Sequence, residues 1–281
     1  MTQTALVLGA SGLAGAGWEF GILHGLAEAG VDLSTADLIV GTSAGAVVGA
    51  LLAAGKHTLA ELYESQLDDA PDEPAARLGA GTILRYAIAV LTSRTPEAYG
   101  RKLGKLALGA TTVDEATRRE TIARRLDAAE EWPERRLLIT AVDALTGELK
   151  AYDKDSGATI VDAVTASCAV PASAPAATID GRRWIDGGVH STANAHLAAG
   201  YDRVVVIAPN ASGNKVIVSA ARQGAALAAA GARVEVITMD ADSKAAFGRN
   251  PLDTSRRAPA ARAGRAQAAA HAKAVAAVWA Q

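Results

Sequence analysis

The chain is poor in the features that usually betray a class at first sight. Cys168 is the single cysteine in 281 residues, so no intrachain disulfide forms, and neither a cysteine metal cluster nor an oxidising compartment is implied. Aromatic residues make up only 4%. Alanine, valine, leucine and isoleucine must therefore fill the interior, which favours close-packed helices on a sheet over an aromatic-rich sandwich. The longest apolar run, from Ala44 to Gly55, is too short for a bilayer and reads as a buried helix. A formal net charge of -2 provides no field to draw nucleic acid or an anionic membrane, so no nucleic-acid partner is expected. The five histidines show no ligand spacing, and no metal or other cofactor is expected. Met1-Thr2-Gln3-Thr4 has no basic leader region, and glycine interrupts the apolar stretch that follows; a cytoplasmic chain is the expectation.

What is present is ordinary globular usage, 50% hydrophobic and 21% charged. Ala5 to Leu8 and Asp37 to Val40 read as buried strands. Helices follow them at Gly17 to Ala29 and Ala44 to Ala54, and two such units in succession predict a mostly parallel central sheet with helices on both faces. Further strands are expected at Arg136–Asp143, at Glu148–Tyr152 after a Thr146-Gly147 turn, and near 203–208 and 233–238. Helices are expected at Thr159–Ser167, Val218–Ala230 and Ala260–Trp279. We expect one α/β domain over 1–281. Within it, 56–132 forms a helical insertion or cap with an acidic turn from Asp68 to Pro74, and 240–281 a C-terminal helical segment.

Three blocks carry chemistry. Gly41-Thr42-Ser43-Ala44-Gly45 passes from the second strand into the second helix. A turn that tight strains its central residue and requires small neighbours, which holds the Ser43 hydroxyl clear of the backbone at the positive end of a helix. Gly9-Ala10-Ser11-Gly12-Leu13-Ala14-Gly15 leaves the first strand, and its small side chains let peptide N–H groups face an anion, either a phosphate or a developing oxyanion. Asp186 lies in Trp184-Ile185-Asp186-Gly187-Gly188, beyond Ala166-Ser167-Cys168-Ala169-Val170-Pro171. Alone it reads as a hairpin-turn aspartate.

In this order the blocks resemble the patatin-like phospholipases, serine acyl hydrolases with a three-layer α/β architecture. The resemblance runs from Leu6 to about Gly188. It implies a dyad in which Ser43 is the nucleophile and Asp186 its base. Gly12, Leu13, Ala14 and Gly15 would then form the oxyanion hole, supported by Gly9, Ala10, Ser11, Gly41, Thr42, Ala44, Gly45, Gly187 and Gly188. The implied substrate is a lipid or other ester, met through transient membrane-surface contact; the oligomeric state stays open. The chain departs from the family pattern at Ala14, where a basic residue is usual, and this favours a neutral ester over a phospholipid.

Other readings remain at this level. A Ser-His-Asp triad would draw on His190, His196 or His271. The glycine segment fits a dinucleotide loop of an NAD(P)-dependent reductase, although the second strand ends without the acidic residue that holds a ribose. A catalytically weak fold would serve as a lipid- or protein-binding regulator. The stripe Ile83, Leu84, Tyr86, Ile88, Val90 and Leu91 reads as core before it reads as acyl pocket or lid. The basic tail with Arg249, Arg256, Arg257, Arg262 and Arg265 reads as a solvated helix face.

Overall fold

A computed structural model describes residues 2–68 and 79–279, so the acidic turn expected at 68–74 falls, from 69 on, outside the described residues. In chain order the elements are β1 (Thr4–Leu8), α1 (Gly12–Glu28), β2 (Leu38–Thr42), α2 (Ala44–Ala54), α3 (Leu59–Glu64), α4 (Ala80–Thr92), α5 (Pro96–Leu108) and α6 (Glu115–Arg125). They continue as β3 (Arg136–Asp143), β4 (Leu149–Tyr152), α7 (Ile160–Ser167), β5 (Ala177–Ile179), β6 (Arg182–Asp186), β7 (Arg203–Ile207), α8 (Ala220–Ala229), β8 (Arg233–Ile237), α9 (Ala241–Phe247) and α10 (Arg257–Trp279).

One sheet runs in the order β5-β6-β3-β2-β1-β7-β8, with β4 also paired to β3. The centre, β3-β2-β1-β7-β8, is parallel, and the β4, β5 and β6 pairings are antiparallel. Its inner strands are buried on both faces, as parallel strands between helix layers must be, while the edge strand β8 is half-buried. Along β1, Leu6 and Leu8 join the core under α1, α2, α7 and α10, while Ala5 and Val7 join the one under α8. The result is a three-layer α/β fold. A third cluster packs α5 against β3 and β6 through Tyr99, Leu103, Val142 and Ile185.

Alanine and glycine do what the composition implies. Gly17, Gly21 and Gly25 recur every four residues along α1 and let α10 lie directly on it; a Cβ at Gly21 would stand 2.1 Å from the Ala261 carbonyl oxygen. The face of α10 carrying Ala260, Ala261, Gly264 and Ala268 is buried there.

Several expectations need correction. Helix α1 starts at Gly12, not Gly17, because Gly12 at φ 65° makes the turn, Leu13, Ala14 and Ala16 are good helix residues, and Gly15 leaves room for Ser11. The β5–β6 hairpin, invisible as strands in sequence, turns at Asp180 and Gly181, both at positive φ (50° and 70°), the Asp-Gly pairing such a turn favours. The stripe on α4 is core only in part: Tyr86 and Val90 pack half-buried against the third cluster, whereas Ile83, Leu84, Ile88 and Leu91 face outward, Leu91 at 70% exposure. Among the described residues, no helix is long and apolar enough to cross a membrane.

Candidate active site

Register alone brings the serine and the aspartate together. On one edge of β3, Thr42 at the end of β2 pairs with Thr140, and Asp186 at the end of β6 pairs with the next residue, Ala141. The strands β2 and β6 run in opposite directions and meet end to end, so Ser43, one residue past β2, faces Asp186. The Ser43 hydroxyl donates to Asp186 Oδ2 at 2.6 Å, and both residues are 5% exposed.

Ser43 adopts φ 55° and ψ -119°, a conformation that costs a non-glycine residue about 1–3 kcal/mol. The surroundings hold it there. Its N–H donates to Ser167 Oγ at 2.8 Å, and its carbonyl accepts from Cys168 Sγ at 3.3 Å. Gly45 N–H donates to the Gly9 carbonyl at 3.2 Å, and a Cβ at Gly45 would lie 2.4 Å from the Leu8 carbonyl oxygen, so the elbow rests on the end of β1.

The other carboxylate oxygen of Asp186, Oδ1, accepts from Gly188 N–H at 2.7 Å. Burial pushes its pKa up to about 6, against the pull of the Ser43 hydroxyl, the Gly188 N–H and the positive charge of Arg118. A carboxylate tuned that close to neutrality is a better proton acceptor than an exposed one, yet it is still ionised at pH 7 and above. Gly187 lets the loop touch β3: a Cβ there would lie 2.3 Å from Thr140 Oγ1.

Beneath the pair lies a buried polar knot. Asn194, held at φ 53°, directs Nδ2 to Ser191 O (2.9 Å), Thr42 Oγ1 (3.1 Å), Thr140 Oγ1 (3.3 Å) and Gly187 O (3.3 Å). The two threonine hydroxyls bond each other at 2.9 Å. One amide thus ties the end of β2 and the middle of β3 to the Asp186 loop.

The glycine segment forms the remaining wall. Gly9 N–H donates to Ile207 O and Ala10 N–H to Thr192 O, while Ser11 sits at the helix N-cap. Gly12, Leu13 and Ala14 open α1, so their N–H groups have no intrahelical carbonyl, whereas that of Gly15 closes the first turn. The Ala14 N–H is turned to Pro251 O at 3.4 Å, and Gly12 and Leu13 line the cavity that holds Ser43. That cavity measures about 650 Å³, with Phe20, Val47, Leu51 and Leu62 on its apolar side.

The patatin-like phospholipase family model matches residues 6–199, a stretch containing the glycine segment, Ser43 and Asp186. The chain belongs to this family. Among solved structures, the crystal structure of the type III effector protein ExoU is 17% identical (TM-score 0.42), the match covering 97% of this chain and 53% of that one. VipD from Legionella pneumophila is 15% identical (TM-score 0.37), with 66% of this chain and 46% of that one covered. The chain therefore spans about half the length of these two structures. No curated protein matches.

Membership in the patatin-like family supports a lipid hydrolase over a reductase. The histidines weighed for a triad bond elsewhere: His190 Nδ1 lies 3.1 Å from Asn194 Oδ1, and His271 Nδ1 lies 3.1 Å from Glu235 on β8. His196 stacks obliquely beside His190. Three participants went unread in the sequence. Ser167 receives the nucleophile's N–H, although its block had been noted. Arg118 reaches the site from α6, far away in sequence. Glu19 is fully buried with neither carboxylate oxygen hydrogen-bonded among the described residues, and burial pushes its carboxyl well above the usual range. An acidic residue in an apolar helix was the only available signal for it.

Proposed function

We propose that the chain is a lipid acyl hydrolase that cleaves carboxylic esters through a Ser43–Asp186 dyad and a covalent acyl-enzyme. The observation that carries this reading is the 2.6 Å bond between the two side chains at a strained, buried elbow. Asp186 Oδ2 accepts the hydroxyl proton as Ser43 Oγ attacks the ester carbonyl carbon. The carbonyl π electrons move onto oxygen, and the N–H groups of Gly12 and Leu13, with the first turn through Ala14 and Gly15 behind them, meet that negative charge. Collapse expels the alcohol, which takes the proton from Asp186. Water, deprotonated by the same carboxylate, then attacks the acyl-enzyme and releases the acid. The acyl chain lies along Phe20, Val47 and Leu51, in the trough between α1 and α2. Within the expected cap, α3 and α6 border that trough, and α10 braces α1.

A fluorophosphonate probe tests the nucleophile: we expect labelling of the wild-type chain and none of a folded Ser43→Ala variant. Labelling that persists in Ser43→Ala removes the proposal. The pH profile tests the base, because kcat/KM for a short-chain p-nitrophenyl ester should rise with pH through about 6 and then level off, as Asp186 ionises.

A further inference from the structure

Helix α2 starts at the nucleophile and runs away from it along the trough. Ala44, Val47 and Leu51 recur at helical spacing on the face that lines the cavity. Leu51, eight residues past Ser43, stands about 12 Å along the helix axis. A leucine on a helix leans back toward the helix N-terminus, here into the path of a chain coming from Ser43. Leu51 is also held in place, because it is partly buried against the main core under the sheet.

A second cavity, of about 630 Å³, begins where the first one ends. Leu51, His57 and Asp127 line both. His57 and Asp127 close on each other at 2.6 Å, and Asp127 is turned to meet the ring by a backbone at φ 53° just past the end of α6. Behind this partition the second cavity has an apolar wall of Ala53, Ala54, Trp132 and Ile160, although charged groups, Lys56 and Glu131 among them, also line it. The indole N–H of Trp132 is committed to Ala158 O at 2.7 Å, so its ring is left to serve as apolar surface.

We infer that Leu51 is the end-stop of the acyl trough: it closes off the second cavity and so sets the longest acyl chain that Ser43 accepts. The inference rests on the ester hydrolysis proposed above and adds a chain length to it. Carbon–carbon bonds of about 1.5 Å advance an extended chain by about 1.3 Å each, so the path from Ser43 to the Leu51 side chain takes about eight carbons. Up to that point each methylene that leaves water strengthens binding about 4-fold. Past it the gain stops, because further carbons meet a filled wall or turn back into solvent.

The test compares kcat/KM for p-nitrophenyl butyrate, octanoate and dodecanoate. In the wild-type chain it should rise from butyrate to octanoate and gain nothing further at dodecanoate. Leu51→Ala should raise the dodecanoate-to-octanoate ratio by about 10-fold or more, since several methylenes can then enter the second cavity. Leu51→Phe, which keeps the site filled should the alanine variant not fold, should lower the octanoate-to-butyrate ratio instead. Adding Ala54→Leu to Leu51→Ala refills the second cavity and should abolish the dodecanoate gain, while Ala54→Leu alone should change neither ratio. A loss of packing alone would lower all three esters together and leave the ratios where they were. Ratios unmoved in both Leu51 variants, or a dodecanoate gain that survives Ala54→Leu, overturn the inference. Titrating octanoate and dodecanoate calorimetrically into full-length Ser43→Ala protein, with and without Leu51→Ala, reads the same limit without turnover. If no ester is cleaved but Leu51→Ala still favours dodecanoate about 10-fold over octanoate relative to its parent, the hydrolase reading fails and the end-stop stands. An unchanged binding ratio, or no binding of either acid, removes the end-stop whatever the turnover.

Discussion

The two sides of the cavity are built by different means. On the sheet side, Ser43 and Asp186 sit at strand ends whose register is fixed by β3, and Thr42, Thr140 and Asn194 lock that register with buried hydrogen bonds. On the helical side, α6 buries only Ile122, and it lines the cavity with Thr117, Thr121 and the long side chains of Arg118, Arg124 and Arg125. Atoms that must meet within a few tenths of an ångström are carried by the rigid sheet, as reacting groups need. The side chains that line the opposite part of the cavity are carried by a thinly packed helix, which holds them less tightly.

If this division holds, substitutions on the sheet side should remove chemistry. Ser43→Ala should lower kcat for a p-nitrophenyl ester by about 10⁴-fold or more. Asp186→Asn should cost about 10²–10⁴-fold in kcat, since a general base is lost while the elbow remains. Asp186→Asn carries a second expectation with a definite sign. Folding raises the Asp186 pKa from 3.8 to about 6, so the fold disfavours the ionised side chain. Below pH 3.8 both states are protonated and the penalty is absent; it grows between 3.8 and 6 and is complete above. The amide should therefore stabilise the protein by about 3 kcal/mol at pH 8 and not at pH 3.5, read from denaturant midpoints. A loss of stability at pH 8 would show that the carboxylate is structural and would blur the comparison. Next in size, Asn194→Ala strips partners from two threonine hydroxyls and two carbonyls, and should cost about 2–3 kcal/mol by urea titration. Its kcat should fall with it, because Thr42 at the end of β2 and Thr140 within β3 are no longer tied to the Asp186 loop.

The same division explains what the sequence could tell. The parallel centre was legible because strands buried on both faces are nearly continuous apolar runs: β3 and α2 fall where expected, and β7, beyond the family match, lies within a residue of expectation, as does the half-buried edge strand β8, which its β-branched residues mark. Ser43 and Asp186 were legible because strain and close approach demand glycine around them, and glycine is conspicuous. Arg118 was not. It reaches the cavity from α6, some seventy residues from either block of the dyad, which no local spacing encodes, and one arginine among many carries no mark. The α4 stripe misled for a related reason: helical spacing of apolar residues reports a face but not what covers it, and here Ile83, Leu84, Ile88 and Leu91 face outward.

That face provides the smallest effect and the cleanest contrast. Leu84 and Leu91 are 61% and 70% exposed, so little apolar area leaves water when the chain folds, and Leu84→Ser or Leu91→Ser should change stability by less than about 0.5 kcal/mol. Tyr86 on the same helix points inward. Its hydroxyl donates to Pro171 O at 3.0 Å, and burial pushes its phenol pKa up. Tyr86→Phe leaves that carbonyl without its donor and should cost about 1 kcal/mol, several times the effect of either serine variant. Equal losses from all three, measured by urea midpoint, would mean that the outer face of α4 is covered in solution and that the helical side is packed more tightly than these contacts indicate.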